Sequence, residues 1–145
     1  MMKVTSAIIT ISNLRLRTFI GFNDEEREKQ QDIVINAEIQ HRLDPQVVEH
    51  DQVDAALNYK TITKQIIKLV EDGRFLLLEK LTHEVLAICA EDASVIKATV
   101  RIDKPHALRF ADSVSVTLSY DAAVDAAGEK EHEHTLRSIS QASWD

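Results

Sequence analysis

The clearest pattern in the chain is at residues 32–43, where Ile33, Ile35, Ala37 and Ile39 alternate with Val34, Asn36, Glu38 and Gln40. A period of two with one apolar side is that of a half-buried strand. Residues 7–20 alternate less regularly through Ile9, Ile11, Leu14, Leu16 and Phe19, and the two runs predict a long antiparallel pair. Their connection, Gly21 to Gln31, is polar and about ten residues long, more than a hairpin turn requires, which marks it as a functional loop. From Tyr59 to Asp72 the apolar residues Ile62, Ile66, Ile67 and Val70 fall on one helical face, and Gly73 fits the left-handed residue that closes a helix. A second helix, from about Leu78 to Ala93, carries Leu81, Val85, Ile88 and Cys89 on one face. Strands follow at 95–104 and 112–120, the latter setting Val114, Val116, Leu118 and Tyr120 against Ser113, Ser115, Thr117 and Ser119. The predicted order is ββααββ, an α+β fold with an antiparallel sheet and both helices on one of its faces.

The other face of such a sheet is left uncovered, and the small Ser/Thr row of the last strand is not the charged surface expected against water. The sheet edges need covering, and a further copy of the chain is the natural partner. After Tyr120 no apolar face persists. Residues 1–121 are therefore taken as one domain and 122–145 as an appendage, expected to be flexible apart from one docked turn around Leu136 to Trp144. His132 and His134, flanked by glutamates, invite a metal reading, but a tail of this composition is ordinarily solvated and no metal site is assigned.

Composition narrows the functional classes. With 145 residues, 44% hydrophobic and 28% charged, the chain is long enough for one core, burying about two-thirds of its unfolded surface. The net charge of −7, with 17 Lys and Arg scattered among 24 acids, argues against nucleic acid as a partner. It leaves an anionic small ligand open, since the local field decides that. No run of about 18 apolar residues and no leader-like segment is present, so no membrane partner is expected and the protein is placed in the cytoplasm. The single Cys89 cannot form an internal disulfide and fits a core thiol.

Candidate chemistry lies in four short segments. Leu76-Leu77-Leu78-Glu79-Lys80-Leu81 puts a carboxylate at the start of a helix, and Val100-Arg101-Ile102-Asp103-Lys104-Pro105 puts an ammonium at a strand end. The loop Gly21-Phe22-Asn23-Asp24-Glu25-Glu26 leads to Gln31, and Asp54-Ala55-Ala56-Leu57-Asn58-Tyr59 precedes the first helix. Each has a bland reading: Glu79 as a first-turn acid favouring the helix dipole, Lys104 as a solvent-facing strand end, Tyr59 as a packing residue at the helix entry, Glu26 as solvated surface.

Together the segments resemble the dihydroneopterin aldolase and epimerase family, and the resemblance covers about residues 7 to 120. It implies a tunnelling fold in which sheets join edge to edge into a barrel, with two tetrameric rings stacked as an octamer and sites at subunit interfaces. It implies that Glu79, beside Leu78, accepts the 2-amino and N3–H groups of a pterin, a guanidine-like edge matching one carboxylate. It makes Lys104 an acid and base near N5 through a water, and Tyr59 a proton carrier contributed by the adjacent subunit. Glu26, in the register Gly-x-x-x-x-Glu after Gly21, would contact the hydroxylated side chain or the catalytic water, with Gln31 beside it. No cofactor and no metal are implied, because the ring's own C6=N5 imine accepts the electrons of the broken C1'–C2' bond.

After Lys104-Pro105 the chain continues His106-Ala107-Leu108-Arg109-Phe110-Ala111-Asp112, without the glycine and second proline that aldolases of the family tend to carry. With Leu14-Arg15-Leu16-Arg17-Thr18-Phe19-Ile20-Gly21, this is similar to the epimerase branch, which inverts C2' of a triphosphorylated substrate. His106 and Arg109 add positive charge suited to such a tail, although Arg109 could equally pair with Asp112. Two alternatives stand beside this reading: the aldolase activity, and a pterin-binding oligomer without catalysis.

Overall fold

The computed structural model describes residues 2–128. Five strands form one sheet in the order β3-β1-β2-β4-β5, with β1 at Ser6–Ile20, β2 at Gln31–Arg42, β3 at Arg74–Phe75, β4 at Val95–Pro105 and β5 at Ser113–Asp121. The helices are α1 (Asp24–Glu28), α2 (Pro45–His50), α3 (Tyr59–Asp72) and α4 (Leu78–Ala90), with a single 3-10 turn at Val53–Ala55. The predicted ββααββ order is thus present as β1, β2, α3, α4, β4 and β5, with short elements added in its connections.

β2 is the centre of the sheet and is as regular as its sequence: Ile33, Ile35, Ala37 and Ile39 are all buried against the helices. Each such isoleucine contributes about 1.5–3 kcal/mol relative to an exposed position. The irregularity of β1 has a physical cause. Its register against β2 shifts between Ile11 and Leu14, where Asn13 adopts φ 53°. Before this bulge Ile9 and Ile11 face the core, and after it Leu14, Leu16, Thr18 and Ile20 do. Asn13 and Asn36 hold the bulge reciprocally, the Asn13 N–H donating to Asn36 Oδ1 (2.9 Å) and Asn36 Nδ2 to Asn13 Oδ1 (3.2 Å). The parity change also corrects the placement of Phe19, which faces away from the core with the Arg74 guanidinium 3.8 Å above its ring.

α3 begins where the Asn58 side chain accepts hydrogen bonds from the N–H groups of Lys60 and Thr61 (both 3.1 Å). It buries Ile62, Ile66 and Val70. Its end is fastened to the sheet by the buried Thr18, whose hydroxyl donates to the Val70 carbonyl at 2.7 Å. Gly73 does not take the left-handed conformation expected of it; its φ of −93° is extended. What demands glycine is space: a β-carbon there would lie 2.4 Å from Phe75 Cε2 and 2.7 Å from the Leu69 carbonyl oxygen. The chain then pairs β3 in parallel with Phe19 and Ile20 of β1, so the sheet is mixed at this corner and not wholly antiparallel.

α4 buries Leu81, Thr82, Val85, Leu86 and Cys89 against β4 and β5, while Ile88 is half-buried. The ladder of β4 and β5 runs one residue past Lys104, with Pro105 opposite Ser113. The face away from the helices carries exposed Arg15, Arg17, Asp32, Glu38, Arg101, Ser115, Thr117 and Ser119. The outer edge of β5, and that of β1 apart from Phe19 and Ile20, has no strand against it among the described residues. Residues 122–128 are helical; the expectations for Leu136, Trp144, His132 and His134 fall outside the described residues. Among the described residues no helix is long and apolar enough to cross a membrane.

Candidate functional site

The site starts from a glycine. β1 ends at Ile20, and Gly21 turns the chain with φ 129°, a conformation open to glycine at little cost, its N–H donating to the Phe75 carbonyl at 2.9 Å. The next residues form α1, a single turn capped by Asn23, whose side chain accepts from the Glu26 N–H at 2.8 Å. The turn folds Glu26 back over Gly21 so closely that a β-carbon on Gly21 would lie 2.2 Å from Glu26 Cδ. Arg74, stacked on Phe19, fastens the loop from outside by donating to the Arg27 carbonyl (3.1 Å).

Three of the residues singled out in the sequence meet here. Lys104 Nζ, 78 residues further along, donates to Glu26 Oε2 in a charge-assisted pair, with both side chains mostly buried at 13% and 21% exposure. Gln31 Nε2 donates to the Ile20 carbonyl at 2.6 Å and lies 3.4 Å from the same Glu26 oxygen. The register explains the convergence: Gln31 and Ile33 start β2, Lys104 is near the end of antiparallel β4, and alternation turns all of them to the helix-covered face. The hydrogen bond from Lys104 holds the Glu26 carboxyl below the usual carboxylate range. Burial opposes this, and the Lys104 charge, Gln31 and the Asn23 backbone reinforce it. The result is a carboxylate and an ammonium locked together at the rim of the sheet.

Leu78 and Glu79 occupy the first turn of α4, which has no side-chain cap because Leu77 stands at the N-cap. Glu79 is exposed, and so is Tyr59, at 53%, on the first turn of α3. Among the described residues no hydrogen bond or ion pair joins either of them to Glu26, Gln31 or Lys104. His106 follows Pro105 in the β4–β5 turn with φ 66° and is exposed. Arg109 makes no ion pair with Asp112 among the described residues; its guanidinium lies 5.3 Å over the ring of Phe110, which is 95% exposed. Cys89 is fully buried, and burial pushes its thiol up to about 11, which leaves it inert as a nucleophile.

Two contributors were not singled out from the sequence. Asn23 precedes Glu26 by three residues, the spacing of a capping box, and that signal was present. Arg74 had none, because its partners Phe19 and Arg27 are distant in the chain.

An acid from the β1–β2 loop and a lysine from β4 thus meet at the rim of a mixed sheet backed by two helices. Residues 9–119 match the family model for dihydroneopterin aldolase, and the chain belongs to that family. It is 56% identical over 115 residues to the dihydroneopterin triphosphate 2'-epimerase of Escherichia coli K12, covering 79% of this chain and 95% of that protein. It is 50% identical over 113 residues to the Pseudomonas aeruginosa protein of the same name, covering 78% and 91%. Among solved structures it is similar to E. coli dihydroneopterin aldolase in complex with neopterin, with TM-score 0.71, 27% identity and coverage of 79% and 98%.

Proposed function

We propose that the protein inverts C2' of 7,8-dihydroneopterin triphosphate, giving 7,8-dihydromonapterin triphosphate, with weaker cleavage of the same bond as a side activity. The observation that carries this is the Lys104–Glu26 pair, set on Gly21 beside Gln31. It supplies a proton donor and a fixed acceptor at one point, as reversible carbon–carbon cleavage requires. The greater identity to the epimerases, 56% against 27% to the aldolase structure, favours inversion over release.

In the proposed cycle Glu79 accepts the 2-amino and N3–H groups of the pterin, with the uncapped N–H groups from Leu78 onward beside it. Tyr59 exchanges protons with the C2' hydroxyl, accepting its proton as the phenol's own passes to water. As C2'=O forms, the C1'–C2' bond breaks and its electron pair enters C6=N5, while Lys104 delivers a proton to N5 through a water. Re-addition to the other face of the aldehyde reverses each transfer and inverts C2'. Glu26 and Gln31 hold Lys104 and the water. The ring is the electron sink, so the balance needs neither a lysine Schiff base nor a metal. If the aldehyde escapes before re-addition, the same cleavage is the aldolase reaction.

The exposure of Tyr59 and Glu79, apart from the Lys104 cluster, supports a site completed by a neighbouring subunit. Two open sheet edges and an uncovered face support edge-to-edge assembly into a barrel, with two tetrameric rings as the assembly the family resemblance implies. Residues 1–121 are assigned to this domain and 122–145 to an appendage outside the chemistry, a division supported by the family match ending at residue 119. The deciding experiment incubates the protein with the triphosphate and with the free triol and separates epimer from cleaved product. Dominant cleavage would make it an aldolase, and binding without turnover a pterin-binding oligomer.

A further inference from the structure

On the face of the sheet away from the helices, Arg15 and Arg17 of β1, Asp32 and Val34 of β2, and Pro105 and His106 at the end of β4 line one open groove of about 380 Å³. It begins where the catalytic strand stops, since His106 is two residues past Lys104. The charges around it are unequally spent. Asp32 is paired with Arg17 (Nε to Oδ1, 3.2 Å), and Arg17 Nη2 also donates to the Gln30 carbonyl at 3.0 Å. In the adjoining row Asp103 takes two hydrogen bonds from Arg101 (2.8 and 3.0 Å) and one from Ser113 (2.7 Å). Arg15 has no hydrogen-bonded or ionic partner among the described residues, although the chain carries a net charge of −7. A guanidinium left free beside acids that are already matched is a fork with unspent donors facing an open groove. Arg109, by contrast, lies over Phe110 and does not line this groove.

We propose that this groove holds the polyphosphate tail of the substrate, with Arg15 as its principal anchor, His106 as a second donor, and Arg17, fixed by Asp32, as its wall. The assignment rests on the functional reading above. A pterin bound on the Lys104 side projects its side chain toward the strand ends at Gln31 and Pro105. A phosphorylated tail that passes over that rim meets His106 and the Arg17–Asp32 pair first and Arg15 next. The consequence is chemical: when C1'–C2' is open, the severed aldehyde is still tethered through its phosphates, so it can turn and re-add instead of leaving.

The test has two arms, applied to wild type, Arg15→Ala, Arg15→Lys and, as a control for simple loss of charge, Lys68→Ala on α3. Calorimetry measures binding of inorganic tripolyphosphate, and kinetics measure the preference, as kcat/KM, for the triphosphate over the triol. Arg15→Ala should weaken tripolyphosphate binding and lower the preference by about ten- to a hundredfold, as expected for a lost charge-assisted contact. Arg15→Lys should recover part of both, and Lys68→Ala should match wild type. Absence of tripolyphosphate binding in wild type, or Arg15→Ala behaving as Lys68→Ala, overturns the assignment. Failure of the wild type to invert the triphosphate sinks the functional reading instead, and the calorimetric arm still decides whether the groove is a phosphate site.

Discussion

The Glu26 carboxylate lies against the α-carbon of Gly21, leaving no room for a β-carbon between them. In the proposed reaction Gly21 therefore acts through Glu26. A methyl group at φ 129° is strained by about 1–3 kcal/mol in its own right. It would also push Glu26 off Lys104. Gly21→Ala should lower stability by about that amount and reduce turnover by about 10²-fold, as for a displaced positioning group. Thermal melting and turnover measured together check this. A destabilised enzyme with a normal rate when folded would show that Glu26 need not sit where it does.

The same pair has a pH signature. The Glu26 carboxyl titrates below its ordinary value of 4.5 because Lys104 stabilises the charged form. Its contribution to stability is therefore complete above the unfolded value and is lost as pH falls through the lower folded one. Glu26→Gln should be less stable than wild type near neutrality by about 1–2 kcal/mol, between a surface and a buried ion pair. That gap should close on acidification below about pH 4.5. Denaturant unfolding at a series of pH values measures it. A gap that persists in acid would mean that packing, not charge, accounts for the loss.

Recognition should rest on Glu79. An amide cannot accept two parallel hydrogen bonds, so Glu79→Gln should weaken pterin binding by about 1.5–3 kcal/mol, the range for hydrogen bonds to a charged group. Titration with a non-reacting pterin reads this directly. Unchanged affinity would return Glu79 to the role of a first-turn acid.

What could be read from the chain follows the range of the interaction concerned. β2 was legible because its residues meet the core through alternation alone, and the faces of α3 and α4 likewise. The bulge at Asn13 was visible only as disorder in the alternation, since its cause is Asn36 on another strand. Gly73 was misread because a glycine can serve conformation or space, and only the position of Phe75 tells which. α2 was not predicted, although Asp44, whose side chain caps the Gln46 N–H at 2.9 Å, and Pro45 in the first turn signal a helix start. In the site, Glu26 and Lys104 were chosen by resemblance, while their union across 78 residues is a product of sheet register.

The division of labour between subunits gives the last prediction. Tyr59 is half-exposed at the start of α3 and, among the described residues, makes no hydrogen bond to the Lys104 cluster within its own chain. If it works, it works on a neighbour's substrate. Lys104→Ala and Tyr59→Phe should each retain pterin affinity while turnover falls by about 10²–10⁴-fold, as for a lost general acid or base. Glu26 would lose its partner in the first variant but not in the second, so only Lys104→Ala should also lower stability. Mixing the two inactive proteins under conditions that exchange subunits should then restore activity, because some interfaces combine an intact Tyr59 with an intact Lys104. Mixtures that stay inactive after exchange has been verified would mean that each chain must supply both groups itself, and Tyr59 would have to reach Lys104 by a movement of α3.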